Sequence, residues 1–309
     1  MLIAFLRICF FSVIGLIFSL DLYSTHIRAG EIIAKRISST SLTYEFTIIG
    51  YTDTGSEVEF GGGSFSFGDG NSIEVLDESA ISSQKILLEN QVALNLFKVI
   101  HTFQAPGRYV VSYFEQNRNA EIVNMENSVD TPFYIETEIL IDPFFGLNNT
   151  PVLLIPPIDN GILGIRYIHN PGAFDPDGDS LSYELVIPMQ EKGFQVTNYR
   201  FPNVEEFYKE YNEGSEGGLG PPSFSLDSII GDLIWDAPGS EGEYNFAFRV
   251  VEWRKVGDQW FKLGHVTRDM QVIIDDSDNK RPNLEVLDPI CVEAGTVIRD
   301  TVSGDDPNF

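Results

Sequence analysis

The chain has almost no cysteine. Two occur in 309 residues, Cys9 and Cys291, and Cys9 lies in an amino-terminal apolar run. Once that run is removed no internal disulfide is possible, and stability must come from packed cores and bound metal. Basic residues are also scarce, with 20 Lys plus Arg against 46 Asp plus Glu and a net charge of −26. Such a surface repels phosphate backbones and anionic membranes, which excludes nucleic acid as a partner. Histidine is limited to His26, His101, His169 and His265, widely separated. Neither H-E-x-x-H nor G-x-S-x-G occurs, so no catalytic set is read and the chain is taken as non-enzymatic.

After residue 20 there is no long apolar run. Residues 1–7 carry one positive charge, residues 8–20 are apolar, and residues 21–25 turn polar and small. That is a signal-peptide pattern, too short for a span of about 20 residues. It predicts a leader over 1–25, a mature chain starting near His26, no membrane span after signal removal, and a secreted or cell-surface location.

The mature chain is rich in β-formers. Alternating, Ile-, Thr-, Tyr- and Phe-rich segments at 27–37 and 42–51 read as a hairpin, and 95–103 and 108–114 as two further strands around Gln104-Ala105-Pro106-Gly107. Residues 131–141 close a first unit, and 142–151 read as a linker. Beyond it, strands are predicted at 152–158, 162–168, 181–187, 229–235, 243–253 and 260–274, with Gly257-Asp258 as the last hairpin turn. Helical spacing of Val204, Phe207, Tyr208 and Tyr211 predicts a short helix, and the Gly-, Glu- and Pro-rich 212–223 an exposed loop. The expectation is all-β: tandem immunoglobulin-like sandwiches over 26–145 and 146–278.

The segment Asp175-Pro176-Asp177-Gly178-Asp179 enters one of these strands with three carboxylates at alternate positions. Ca²⁺ takes six to eight hard oxygens, and Gly178 permits the tight turn such a site needs. Asp175, Asp177 and Asp179 are therefore candidate calcium ligands. An EF-hand loop would need Gly at its sixth position and Glu at its twelfth, where this chain has Ser180 and Val186. A plain polar turn would use the same residue types, although three mutually repelling carboxylates favour a cation.

Several motifs resemble known families. Phe65-Ser66-Phe67-Gly68-Asp69-Gly70, followed by His101-Thr102-Phe103 and Pro106-Gly107-Arg108-Tyr109-Val110-Val111, resembles the PKD domain, which implies an immunoglobulin-like sandwich in which Asp69 and His101 serve hydrogen bonding. The aspartate turn, Gly231-Asp232-Leu233-Ile234-Trp235-Asp236-Ala237-Pro238 and Gly242-Glu243-Tyr244 resemble bacterial cadherin-like domains, which implies calcium near the sandwich end. With the leader, the whole resembles the amino-terminal part of the gliding-motility-associated surface proteins of Bacteroidetes.

Two functions from different classes follow. One is a non-catalytic, calcium-stiffened spacer or adhesion module for an unknown protein or glycan ligand. The other is the carbohydrate-binding accessory region of a secreted hydrolase, with Trp235, Trp253 and Trp260 as a sugar-stacking platform, although strand aromatics are more often core. Residues 279–309 read as a linker and the start of a truncated repeat. An offset of 131 lays Pro151 on Pro282, Gly164 on Gly295 and Asp175-Pro176 on Asp306-Pro307. That tail is expected to be poorly packed.

Overall fold

A computed structural model describes residues 27–55, 60–76, 81–146 and 148–278, with short pieces at 283–285, 297, 299, 301 and 303–305. The leader, His26, Cys291 and most of the tail lie outside the described residues. The fold is all-β and sandwich-like, built almost wholly from antiparallel sheets. Among the described residues no helix is long and apolar enough to cross a membrane.

The first unit contains β1 (Ile27–Arg36), β2 (Thr43–Asp53), β3 (Ser64–Ser66), β4 (Ser72–Glu74), β5 (Ser82–Leu87), β6 (Val92–Thr102), β7 (Gly107–Glu115) and β8 (Phe133–Ile141). One layer runs β4-β3-β7-β8 and the other β1-β2-β6-β5. Alternation explains the core between them: Tyr44, Phe46 and Ile48 of β2 face Phe65, Val111, Tyr113, Phe133 and Ile135 across the interior.

The second unit contains β9 (Val152–Leu153), β10 (Gly161–Ile162), β11 (Tyr167–His169), β12 (Ala173–Phe174), β13 (Ser180–Val186), β14 (Met189–Glu191), β15 (Phe194–Gln195), β16 (Ser223–Leu226), β17 (Leu233–Asp236), β18 (Gly242–Val256) and β19 (Gln259–Asp275). β18 and β19 form one long hairpin turning at Gly257, whose φ is +62°. Tyr244, Phe246, Phe248 and Val250 point inward from β18 onto Trp235, Leu233 and Val266.

The two units share structure. β2 is buried at every position from 46 to 52, the pattern of a strand covered on both faces. Its second face, with Ile49 and Tyr51, joins Ala29 and Val92 in the same core as Trp235 and Phe246. β19 completes the fusion, since one of its edges bonds β8 at His265 and Val266 and then β1 at Asp269 and Met270. Gly264 permits the approach, because a Cβ there would lie 2.0 Å from the Glu138 carbonyl oxygen. The sandwiches are thus layers of one body, and the segment read as a linker lies along β1: Thr150 exchanges backbone and hydroxyl hydrogen bonds with Ala34 at 2.8–2.9 Å.

Some predicted elements are shorter than expected, for local reasons. The strand expected over 152–158 ends at Leu153, ahead of Pro156-Pro157, which have no N–H to give a ladder. The one expected over 162–168 is split by Gly164 at φ +73°. The one expected from 229 starts at Leu233, because Asp227 Oδ1 caps the N–H groups of Ile229 and Ile230 and holds them in a turn. In place of the helix near 204–211 there are two 3₁₀ turns, Glu205–Phe207 and Tyr211–Glu213. In the tail, β20 (Asn283–Glu285) pairs with β21 (Ser303–Asp305), whose three residues are exposed.

Candidate metal centre

The aspartate turn is built by its own first carboxylate. Asp175 Oδ1 accepts from the backbone N–H of Asp177 and of Asp179, both at 2.9 Å, and Gly178 closes the turn at φ +83°. This is the Asx geometry expected of such a sequence. It consumes only one of the two oxygens. Asp175 is 5% exposed, and its Oδ2 is buried with no hydrogen-bond partner.

The other two aspartates diverge. Asp177 turns outward, accepting from the Asn149 backbone N–H at 2.6 Å and from its side-chain amide at 3.0 and 3.1 Å. Asp179 turns inward, where the Arg254 guanidinium donates to it through Nε at 2.8 and 3.1 Å and also through Nη2. The three predicted ligands are therefore not brought to one point: Asp175 and Asp179 are together, and Asp177 is a clamp on the linker.

Glu252 takes the third place. It lies on β18 opposite Leu181 of β13, just before the register shift between Glu252 and Trp253. It is 1% exposed; Oε2 accepts from Asn148 Nδ2 at 3.1 Å and Oε1 has no partner. Carboxylate oxygens of Asp175, Asp179 and Glu252 all lie within 4.8 Å of one another. Two oxygens on opposite sides of a Ca²⁺ ion, each at about 2.4 Å, are separated by about that distance.

The electrostatics are severe. Burial, then the neighbouring Asp179 and Asp175 carboxylates, pushes the Glu252 carboxyl up to about 9, and burial raises Asp175 as well. A cluster of this kind accepts either a proton or a cation to offset the repulsion. The hard oxygen donors and the two partnerless buried oxygens are of the kind a hard cation takes, and Asp175, Asp179 and Glu252 are the residues that would hold one.

The sequence reading did not reach Glu252, Asn148 or Arg254. For Glu252 a signal existed, since Tyr244, Phe246, Phe248 and Val250 set the inward parity of β18 and Glu252 continues it. A charged residue at an inward position needs a partner. Asn148-Asn149-Thr150 fits a glycosylation acceptor by pattern, yet Asn148 and Thr150 are 5% and 3% exposed and Asn148 is engaged with Glu252 and Arg254.

The remaining candidates have structural places. His101 Nε2 and Asp69 Oδ2 are 2.8 Å apart, with the imidazole stacked 4.0 Å from the Phe67 ring, so the pair braces the turn after β3 against β6. Trp235 is fully buried and donates to the Tyr208 hydroxyl at 2.8 Å. Trp253 donates to Ser182 Oγ, and only Trp260, 53% exposed beneath Lys255, faces solvent broadly. With Trp235 in the core, the three do not make one platform.

No protein-family model matches this chain, and neither a curated protein nor a solved structure does.

Proposed function

We propose that this chain is a non-catalytic extracellular module, a spacer or adhesion element whose layers are locked together by Ca²⁺. The observation that carries the reading is the pair of buried, partnerless oxygens, Asp175 Oδ2 and Glu252 Oε1, beside Asp179. The place of the cluster gives it a purpose. Asn149 bonds both Asp177 and the Arg36 N–H of β1, while Asn148 bonds Glu252, so the centre ties the segment between the units to both of them. The acidic surface, the leader pattern and the resemblance to gliding-motility-associated surface proteins supply the setting.

Calorimetric titration with Ca²⁺ and melting in calcium and in chelator test the reading. A cation that binds only the folded state adds about 2.7 kcal/mol at a hundredfold excess over Kd, so chelation lowers the melting temperature. Glu252→Gln should remove that difference and Asp177→Ala should leave it in place. A chelator shift that survives in Glu252→Gln would rule the centre out.

A carbohydrate-binding accessory role is the second reading, favoured by exposed Trp260. A glycan array run with wild type and Trp260→Ala checks it: glycan binding lost in the variant supports that role, and no binding by either counts against it.

A further inference from the structure

Arg254 is seated against one member of the carboxylate cluster. Its guanidinium donates to both oxygens of Asp179, to Asn148 Oδ1 at 2.6 Å and to the Phe145 carbonyl at 2.6 Å. Two of these partners, Asn148 and Phe145, belong to the segment between the units. The third, Asp179, is a member of the carboxylate cluster. A positive charge is therefore already seated against one of the three carboxylates.

We propose that Arg254 is a built-in competitor of the divalent cation, holding Asp179 until Ca²⁺ takes it and so setting the affinity of the site. This inference rests on the calcium reading of the same cluster and adds its regulation. Two physical effects drive the competition. Guanidinium N–H groups occupy the Asp179 lone pairs that a hard cation needs as ligands. The fixed positive charge also repels a dication inside a region from which water is largely excluded, where charges interact more strongly than in water.

The exchange is feasible because Arg254 is not held by Asp179 alone. When Asp179 turns to the cation, the guanidinium keeps the Asn148 oxygen and the Phe145 carbonyl, so its remaining N–H groups are not stranded. Asp175 Oδ2 and Glu252 Oε1 accept no hydrogen bond and remain available to the incoming ion. Such a site is tuned to the weak end of calcium affinities, the range of about 10⁻⁴–10⁻³ M met in extracellular modules. It fills where calcium is abundant and is held shut by arginine where it is not.

The test is calcium titration of the full chain by calorimetry, for wild type and Arg254→Gln, with melting in chelator and in excess calcium. Arg254→Gln should bind Ca²⁺ at least tenfold more tightly, about 1.4 kcal/mol. In chelator the variant should melt below wild type, having lost its resident cation, and calcium should erase that deficit. Arg254→Lys keeps the charge but lacks the two-pronged fork and should fall between the two; it also serves if Arg254→Gln folds only with calcium present. Equal or weaker binding by Arg254→Gln, with wild type binding measurably, overturns the competitor role and leaves the calcium reading standing. No binding by either protein up to about 10 mM, well beyond the weak extracellular range, with no calcium effect on melting, overturns both.

Discussion

Between β2 and β3–β7 the interior is made of rings, whereas between β1 and β19 it is made of ion pairs. In the first region Phe46, Phe65 and Phe67 meet at centroid distances of 5.1–5.9 Å, and Phe60 meets Tyr113 at 5.2 Å. In the second, Arg268 donates to both oxygens of Glu31, and Arg118 is held by both oxygens of Asp269 at 2.6 and 3.0 Å. All four charged side chains are essentially buried. Amide neighbours complete the polar seam, as Asn245 donates to Asp269 and Asn119 to Gln271.

The difference separates two tasks. The burial of rings stabilises in rough proportion to the apolar area removed from water, with only a modest further preference for tilted and edge-to-face pairs. Buried ion pairs yield little net stability, because desolvation offsets most of the attraction, but a wrong register leaves a charge unpaired at high cost. Successive residues of β19 thus address different segments: Arg268 reaches β1, and Asp269 reaches the loop after β7. The rings hold the layers together, and the charges say which strand lies beside which.

Removing a ring should have the largest effect. Phe46→Ala should cost about 3–5 kcal/mol, as should Phe248→Ala in the second core, measured by urea unfolding. Because β2 contributes to both cores and β19 pairs with β8 and β1 of the first unit, each variant should move one common transition. Two transitions, only one of which responds, would break the description of the units as layers of one body.

Next comes the seam. Arg268→Met should cost about 3–5 kcal/mol by leaving Glu31 buried and unpaired, whereas the double variant Arg268→Met with Glu31→Leu should recover most of that loss. A double variant no more stable than Arg268→Met alone would mean that the pair contributes net stability as well as register.

A smaller effect sharpens the same contrast through pH. His169 is buried with neither ring nitrogen partnered, and burial, then Arg268, pulls its pKa down to about 3. The unfolded chain, with an ordinary value of about 6.5, binds the proton first. Stability from this group is complete above that value and is lost as pH falls toward 3, with a slope of at most about 1.4 kcal/mol per pH unit. His169→Leu should flatten the unfolding free energy between pH 6.5 and 4. An unchanged slope would place the sensitivity elsewhere.

The strands themselves were legible because alternation and turn residues act locally. The hairpin at Gly257-Asp258 and the turn at Asp175-Pro176-Asp177-Gly178-Asp179 both stand where their residue types put them. What could not be read was pairing between distant segments. Three alternate aspartates look equivalent in sequence, yet Asn149 draws Asp177 out while Arg254 and Glu252 draw Asp179 in. Those partners lie 28 to 75 residues away from the aspartates they bond. Likewise the seven consecutive buried residues of β2 hint at a middle layer, but nothing local says that β19 supplies the outer one.

The sharing of β19 also fixes the order in which the molecule can be finished. β1 is the first described strand, yet its Glu31 finds Arg268 across a sequence separation of 237 residues. Closing so long a loop is entropically costly, and folds dominated by distant pairings form slowly. While a nascent chain has not yet reached β19, the edges of β1 and β8 that β19 covers lack their partner strand and Glu31 has no counterion. Such a chain stays incompletely folded until its second unit has been made, and the last strand of that unit to leave the synthesis machinery is the one that locks the first.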